Sequence, residues 1–205
     1  WPDMPFALPT SPLPRQAVIT PVIFGGPQLA EMGGEDQFLN RLGSRFQLDV
    51  TTPKLKPEPD GRLWAAALLK AWMTGERVTM AFPQPGLAIG SPGAPVVNGG
   101  GQSGSGLFVR GFTPGFVYRP GQFFSILTNG QRYLYQAAPA ADTAADGGGL
   151  SSFPIRPMLR VSPADGDPVE FLNPLIEGIV IGDQRSWALE RAFNQGFQFS
   201  IRETR

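Results

Sequence analysis

The chain of 205 residues contains neither cysteine nor histidine. The lack of cysteine excludes disulfides and thiolate nucleophiles, and the lack of both residue types excludes the usual structural zinc sites and imidazole acid-base catalysis. An enzyme built on this chain would depend on carboxylates, hydroxyl groups, lysine and arginine. No such set emerges from the sequence, and we therefore expect a protein that is not an enzyme and that has no catalytic, cofactor-binding or metal-binding residues.

Charge is also scarce and evenly balanced. Charged residues make up 17% of the chain, and Lys and Arg number 17 against 17 for Asp and Glu. The balance holds locally as well, so no basic stripe predicts a nucleic-acid interface. Apolar residues never run for eighteen positions, and we expect no membrane span. Because so little of the chain is charged, we expect it to bury much of its surface against partners.

Residues 1–14 include five prolines and lack a basic region followed by an apolar core. This pattern predicts an extended arm rather than a secretory signal.

Glycine and proline are abundant but unevenly distributed. The chain has 26 glycines and 22 prolines, which favours turns over long helices. Residues 86–172 hold 16 of those glycines and all three tyrosines, but no lysine. Such a break indicates one domain inserted into another. We therefore predict a discontinuous domain of residues 1–85 plus 173–205 and an inserted domain of residues 86–172 that a short linker could replace.

The flanks of the insert contain most of a β-sheet. Residues 16–24, 45–54 and 76–82 are rich in apolar or β-branched residues, partly in alternation, and predict strands. The glycine-rich residues 25–43 predict a loop. Residues 187–204 begin with a helical turn and end in a strand whose apolar face should point into the core of the discontinuous domain. That face consists of Phe197, Phe199 and Ile201.

One helix is predicted between the second and third of these strands. Asp60 is placed to cap its first turn, and Gly75 lies where a helix ends in the left-handed conformation. Apolar residues recur between them at a spacing of three to four, as expected of a helix that lies on a sheet. These residues are Leu63, Trp64, Ala67, Leu68, Ala71 and Trp72.

Within residues 86–172 the strongest local signal is a hairpin. Asn129 and Gly130 separate two apolar-rich runs, residues 122–127 and 132–136, which favours a type I′ turn. Further short strands are predicted at residues 107–112, 150–159 and 169–172. About five antiparallel strands in such a short segment predict a small β-barrel, for which an OB-like barrel is the commonest candidate.

The order of four segments carries a resemblance to a known family. They are ALLKAWMTGERVTMAFPQ (residues 67–84), RPGQFFSI (residues 119–126), PIRPMLRVSPADGDPVEF (residues 154–171) and NQGFQFSIRET (residues 194–204). Over residues 15–205, this order and spacing resemble the distal tail protein of long-tailed phages and related gene transfer agents. The resemblance implies a mainly β fold, in which a tail-tube-like β-sandwich with one α-helix is interrupted by a small OB-like β-barrel.

The same resemblance implies a structural virion protein. Six copies would form a hexameric ring that joins the tail tube to the baseplate at the tail tip and lets DNA pass. The implied partners are other copies of the chain, the tail tube protein, the baseplate hub protein and the tape measure protein. DNA would be only a transient, non-specific passenger, and no membrane would take part. The protein would be located at the distal end of the tail in the virion, and in the host cytoplasm during assembly.

An alternative function is carbohydrate binding at the tail tip during host adsorption. OB-like barrels can receive oligosaccharides, and Tyr118, Tyr133 and Tyr135 could offer flat faces with a polar hydroxyl group. Tyr133 and Tyr135 lie on one face of the predicted hairpin. That placement also describes a half-buried sheet surface, so both interpretations remain open here.

Two further patterns do not predict a site. Residues 99–104 match G-x-G-x-x-G, but a strand-like segment follows where dinucleotide binding needs a helix, which favours a flexible loop. The carboxylates of the insert lack the spacing of a calcium loop and the facing pair of a glycosidase. We therefore assign Asp165 and Asp167 to a turn and Asp142 and Asp146 to exposed positions in a loop. Glu170, the remaining carboxylate considered, has no facing partner that would predict a site.

Overall fold

The structure is a computed structural model that describes residues 4–30, 33–39, 41–182 and 196–204. Strands dominate these residues and one α-helix accompanies them, which confirms the mainly β fold class. The helical turn predicted at Trp187 lies outside the described residues. The strands are, in chain order, β1 (Phe6–Ala7), β2 (Gln16–Val22), β3 (Gly26–Gln28), β4 (Gln37–Leu39), β5 (Arg45–Thr51), β6 (Val78–Ala81), β7 (Gly93–Val97), β8 (Gly106–Phe112), β9 (Val117–Tyr118), β10 (Phe123–Thr128), β11 (Gln131–Ala137), β12 (Thr143–Ala144), β13 (Ser151–Arg156), β14 (Val169–Glu170), β15 (Leu175–Ile181) and β16 (Gln198–Glu203).

The first sheet joins the two ends of the chain. Its six strands lie in the order β1-β6-β15-β16-β5-β2, and all neighbours are antiparallel except β1 and β6. The last strand, β16, lies between β15 and β5, with Phe199 opposite Val50 and Ile201 opposite Leu48. Phe197, Phe199 and Ile201 are all buried in the core beneath this sheet, which confirms the predicted apolar face.

Helix α1 (Arg62–Thr74) packs on this core. Its buried positions are Trp64, Leu68 and Ala71, and it ends at Gly75 in the left-handed conformation with φ of 67°. The predicted cap at Asp60 is wrong, because Gly61 is the N-cap residue and no side chain caps the helix. A five-residue turn, Pro57–Gly61, occupies that place instead.

The second sheet forms a nearly closed barrel. Its strands lie in the order β14-β10-β11-β13-β8-β7. The two ends of this series approach each other where Val96 pairs with Pro168 and the Val97 N–H donates to the Asp167 carbonyl at 2.9 Å. The predicted hairpin is confirmed as β10 and β11. At its turn, Asn129 and Gly130 have φ of 51° and 75°, as a type I′ turn requires.

Two small strand pairs complete the fold. Strand β9 pairs with β12, and β3 pairs with β4 in a hairpin in which Pro27 lies opposite Phe38. The β3–β4 hairpin occupies part of residues 25–43, for which the sequence predicted only a loop. Strands of three residues with exposed apolar side chains give too little alternation to be predicted from sequence.

Strands β10 and β11 contribute to both hydrophobic cores. Phe123 and Leu134 belong to the core beneath the first sheet, whereas Phe124, Tyr133 and Tyr135 belong to the barrel core. Both faces of the hairpin are therefore buried, one against each core. The division into residues 86–172 and the flanking segments remains a prediction, since this hairpin serves both cores.

Candidate interaction surfaces

Backbone groups of the barrel are bound by side chains from the first sheet. Just after β6, the Gln84 amide donates to the Phe123 carbonyl at 3.2 Å and accepts from the Phe123 N–H at 2.7 Å. The Phe123 ring lies with its centroid 4.5 Å from that of Phe82 and 5.4 Å from that of Phe46. The Gln84 side chain therefore binds the Phe123 backbone as a neighbouring strand would, and it joins the segment after β6 to β10 of the second sheet.

Glu203, at the end of β16, is a buried charged group at this boundary. Its carboxylate accepts hydrogen bonds from the Phe46 and Leu134 N–H groups, each at 2.8 Å, and from Arg160 Nη2 at 2.5 Å. Burial raises the pKa of Glu203, while Arg160 and the two N–H groups act in the opposite direction. One carboxylate thus joins β5 of the first sheet to two segments of the barrel.

A second buried carboxylate, Glu177 in β15, repeats this role. It accepts from the Arg132 N–H at 3.0 Å and forms an ion pair with Arg77 at 2.9 Å. Burial raises the pKa of Glu177, against the effect of the Arg132 N–H and the Arg77 charge. All these polar partners come from the protein itself, so the cluster fixes the two sheets together instead of presenting groups to a substrate.

The three tyrosines lie inside the barrel. Tyr118 is fully buried, with its hydroxyl oxygen 2.8 Å from Ser151 Oγ. The Tyr135 hydroxyl accepts from the Arg160 N–H at 3.2 Å, and the Arg160 guanidinium lies 4.9 Å from the Tyr133 ring centroid. No ring face of these tyrosines is open to a sugar. Their placement therefore does not support the hypothesis that they bind carbohydrate.

Asp165 and Asp167 hold a turn together at the closure of the barrel. Asp165 forms an ion pair with Arg110 and accepts from the Gly99 N–H at 2.8 Å. The Arg110 hydrogen bond and the Gly99 N–H lower the pKa of Asp165 to about 2. Asp167 accepts from Thr128 Oγ1 at 2.6 Å. The two carboxylates thus have protein partners, in keeping with the turn that the sequence predicted.

The other carboxylates considered within residues 86–172 also bind neighbouring groups. Asp142 pairs with Arg119 at 3.4 Å, Asp146 accepts from the Leu150 N–H at 2.7 Å, and Glu170 accepts from backbone N–H groups directly after it. Among the described residues, no group of three or more acidic side chains is placed to hold a metal ion.

The β2 edge is a surface without an obvious partner. It comprises β2 and the next two residues, Ile23 and Phe24. Strand β2 lies at the end of the first sheet, and in the described ranges no strand pairs with its outer side. Val18 and Ile19 are exposed along it, and Ile23 is 60% exposed just beyond it. Long apolar edge strands are normally covered, because they pair readily with other chains.

The β3–β4 hairpin adds to this apolar surface. Leu29 is 73% exposed and Phe38 60% exposed, and Leu39 in β4 is exposed as well. Contiguous exposed apolar residues of this kind mark interaction sites in soluble proteins. This surface could not be predicted from the sequence, since exposed and buried apolar residues cannot be distinguished without the fold.

An open cleft of about 800 Å³ lies between the β2 edge, the β3–β4 hairpin and the outer wall of the barrel. We call it the junction cleft. Phe46 and Phe123 are the buried aromatic residues in its lining, and Ile19, Phe38 and Met158 contribute more exposed apolar surface. Its lining includes residues of both sheets, so the cleft is a concave, partly apolar surface that adjoins both of them.

The face of the first sheet opposite its core is polar. Arg202 donates to the Gln47 side chain at 3.0 Å and 2.9 Å, and Gln47 donates to Asp49 at 2.8 Å. In this network of half-buried side chains, the positive charge of Arg202 and the negative charge of Asp49 balance each other. Among these three described side chains, both charged groups have a hydrogen-bond partner.

No helix in the described ranges is long and apolar enough to cross a membrane. Comparison with known proteins does not extend this account, because no protein-family model matches the chain and no curated protein matches it.

Proposed function

We propose that this chain is a structural ring protein of a phage-type tail, in which six copies join the tail tube to the baseplate at the tail tip. The resemblance in segment order supports this proposal, as does the mainly β fold. In this interpretation the first sheet with α1 is the tail-tube-like sandwich, and the nearly closed sheet is the OB-like barrel. The observation that carries the proposal is the exposed apolar β2 edge next to the exposed β3–β4 hairpin.

A ring gives these surfaces a physical role. An edge strand of seven residues with exposed apolar side chains and an open outer side can pair with other chains unless a defined neighbour covers it. Closed rotational symmetry covers the same surface pair in every copy and leaves no free end. The low charge of the chain fits a protein whose surface is largely buried in an assembly.

The polar face of the first sheet would suit the wall of a DNA conduit. Each lysine or arginine that binds a phosphate adds affinity that depends on salt, which would retard passing DNA. On this face Arg202 is already bound by Gln47. We propose that the face lines the lumen and that DNA passes without specific binding.

The barrel would be carried as a rigid part of each subunit. Glu203 and Gln84 tie it to the first sheet through backbone hydrogen bonds, so a ring of first sheets would present six barrels in fixed positions. The tail tube protein, the baseplate hub protein and the tape measure protein are the partners that this proposal implies. The proposed location is the distal end of the tail.

The test is the mass and shape of the assembled protein. Native mass spectrometry should show a species of six times the chain mass of 22.1 kDa, and negative-stain images should show sixfold rings, either of free protein or after incubation with purified tail tubes. Ile23→Lys should prevent assembly, whereas Leu172→Lys, which changes an exposed residue of the barrel, should not. Protein that stays monomeric in both settings would overturn the proposal.

A further inference from the structure

The junction cleft combines an apolar lining with a positively charged rim. Arg41, Arg45 and Arg156 contribute to its lining. Arg41 and Arg156 are exposed, and neither forms an ion pair with a carboxylate in the described ranges. The Arg45 guanidinium lies 5.2 Å from the Phe24 ring centroid. Since complementary charge guides recognition, an occupant of this cleft should carry both apolar side chains and carboxylates.

The backbone beside the cleft is available for pairing. The Phe46 N–H points away from β2, because it donates to Glu203. Pro21 lies opposite Phe46, and neighbouring residues of a strand alternate in direction. The backbone of Pro21, like that of Phe46, is therefore not directed at the partner strand, and it faces the free edge. Ala17 and Ile19 have the same direction as Pro21, so their N–H groups point to the free edge, whereas proline has no N–H group. An extended segment could add to this edge and place alternate side chains in the cleft.

The same chain carries a segment with the required chemistry. Glu35 and Asp36 lie in the connection of the β3–β4 hairpin and are followed by the exposed residues of β4, which include Phe38 and Leu39. Asp36 accepts from the Ala30 N–H at 3.1 Å, which helps to fix this connection. Residues 35–39 are exposed, and they combine two carboxylates with the apolar side chains of Phe38 and Leu39. Their negative charge is opposite to that of the arginines of the cleft, and their apolar side chains suit its apolar lining.

We propose that the junction cleft of one copy receives residues 35–39 of a second copy, which are the acidic end of the hairpin connection and β4. This inference rests on the proposed ring and names the surfaces that would form it. Glu35 and Asp36 lie outside the lining of the cleft, although Phe38 of the same hairpin lines the cleft of its own copy. The contact is therefore heterologous: each copy donates the acidic segment to one neighbour and accepts one from the other. Such head-to-tail contacts close into a ring when the rotation between copies permits.

Charge reversal tests this contact. Glu35→Arg and Arg156→Glu should each weaken self-association by about tenfold or more, because like charges then face each other across the contact. An equimolar mixture of the two variants should regain association with the two variants alternating, because both contacts between unlike variants join opposite charges, whereas contacts between like variants do not. Lys56→Glu, which changes an exposed charge outside the cleft lining, should associate like the unaltered chain.

Disulfide trapping provides a second test that does not need stable rings. Because the chain has no cysteine, Gln37→Cys and Met158→Cys each introduce a single thiol. Oxidation of a mixture should give mainly the mixed dimer, one thiol from the hairpin and one from the cleft. The control mixture of Gln37→Cys with Leu172→Cys, an exposed barrel position, should give no such preference.

The outcomes separate this inference from the proposed function. If both charge variants still form sixfold rings and the cysteine variants give no preferred mixed disulfide, the hairpin contact is overturned. The proposed ring would still be supported by that result. A preferred mixed disulfide without sixfold rings would support the contact and count against the hexamer. Equal amounts of all disulfide pairs, together with unchanged association of both charge variants, would overturn the inference.

Discussion

At the scale of single residues, the buried carboxylates at the boundary between the sheets are the groups with the largest expected effect on stability. Glu203 satisfies two backbone N–H groups and a buried arginine at once. Removing one partner of a buried ion pair leaves the other charge without compensation, which costs far more than losing an exposed pair.

We expect Glu203→Gln to lower the free energy of unfolding by about 3–5 kcal/mol. The amide has only one oxygen acceptor, so one of the N–H donors faces an NH₂ group and Arg160 loses its counter-charge. Chemical denaturation measures the change. Glu58→Gln is the control, because it removes only an exposed ion pair with Arg62 and should leave the free energy of unfolding almost unchanged. A loss for Glu203→Gln as small as that of the control would contradict the buried pairing.

Because its pKa is lowered, Asp165 should make the stability of the protein depend on pH. Its pKa falls from an ordinary value of 3.8 to about 2, so the stability that its ionised form contributes is fully present above about pH 4 and is lost as the pH falls through about 2. A carboxyl NMR titration should place its midpoint near 2. In the Arg110→Gln variant the midpoint should move back toward 3.8, and an unchanged midpoint there would show that Arg110 is not the cause.

At the scale of elements, signals with a local cause could be predicted from sequence. Each of three such signals arises within one local element: the Asn129-Gly130 turn, the spacing of apolar residues in α1, and the alternation of apolar and polar residues in β16. Strand β15 was not predicted, because buried residues occur on both of its faces and alternation is lost. Gly178 within it is required by packing, since a Cβ there would lie 2.0 Å from the Arg202 carbonyl oxygen. Such a contact is visible only in the fold.

The burial of β16 makes a testable prediction. Phe199→Ala should lower the free energy of unfolding by about 3–5 kcal/mol, because the Phe199 ring is buried with its centroid 5.8 Å from that of Trp64. Chemical denaturation provides the measurement, with Leu172→Ala as an exposed control. If Phe199→Ala costs less than about 1 kcal/mol, as ordinary surface changes do, β16 does not close the core.

At the scale of the whole molecule, composition predicted where the chain changes character but not how the two parts meet. Glycine and tyrosine counts average over residues 86–172, and they cannot report that Leu134 faces one core while its neighbours Tyr133 and Tyr135 face the other. The candidate interaction surface could not be predicted from the composition either. The exposed apolar residues of the β2 edge and the hairpin are recognisable only when the fold shows what leaves them uncovered.

These contacts change the expectation for a deletion. The sequence favoured a folded remainder after residues 86–172 are replaced by a short linker. The structure favours the opposite result, since Phe46 and Phe82 would lose their contact with Phe123, and Glu203 would lose both Arg160 and the Leu134 N–H. We expect the shortened protein to lack a cooperative unfolding transition in chemical denaturation. A sharp transition, together with a well-dispersed NMR spectrum, would show that the remainder is an independent domain.

The central claim is that copies of this chain assemble into a sixfold ring, and electron microscopy of the protein with purified tail tubes tests it most directly. The account predicts sixfold rings at one end of the tubes, with the barrels as six separate densities around the ring. Ile23→Lys should abolish those rings without unfolding the protein. Tubes without added density, together with free protein that is monomeric at every concentration, would contradict the account.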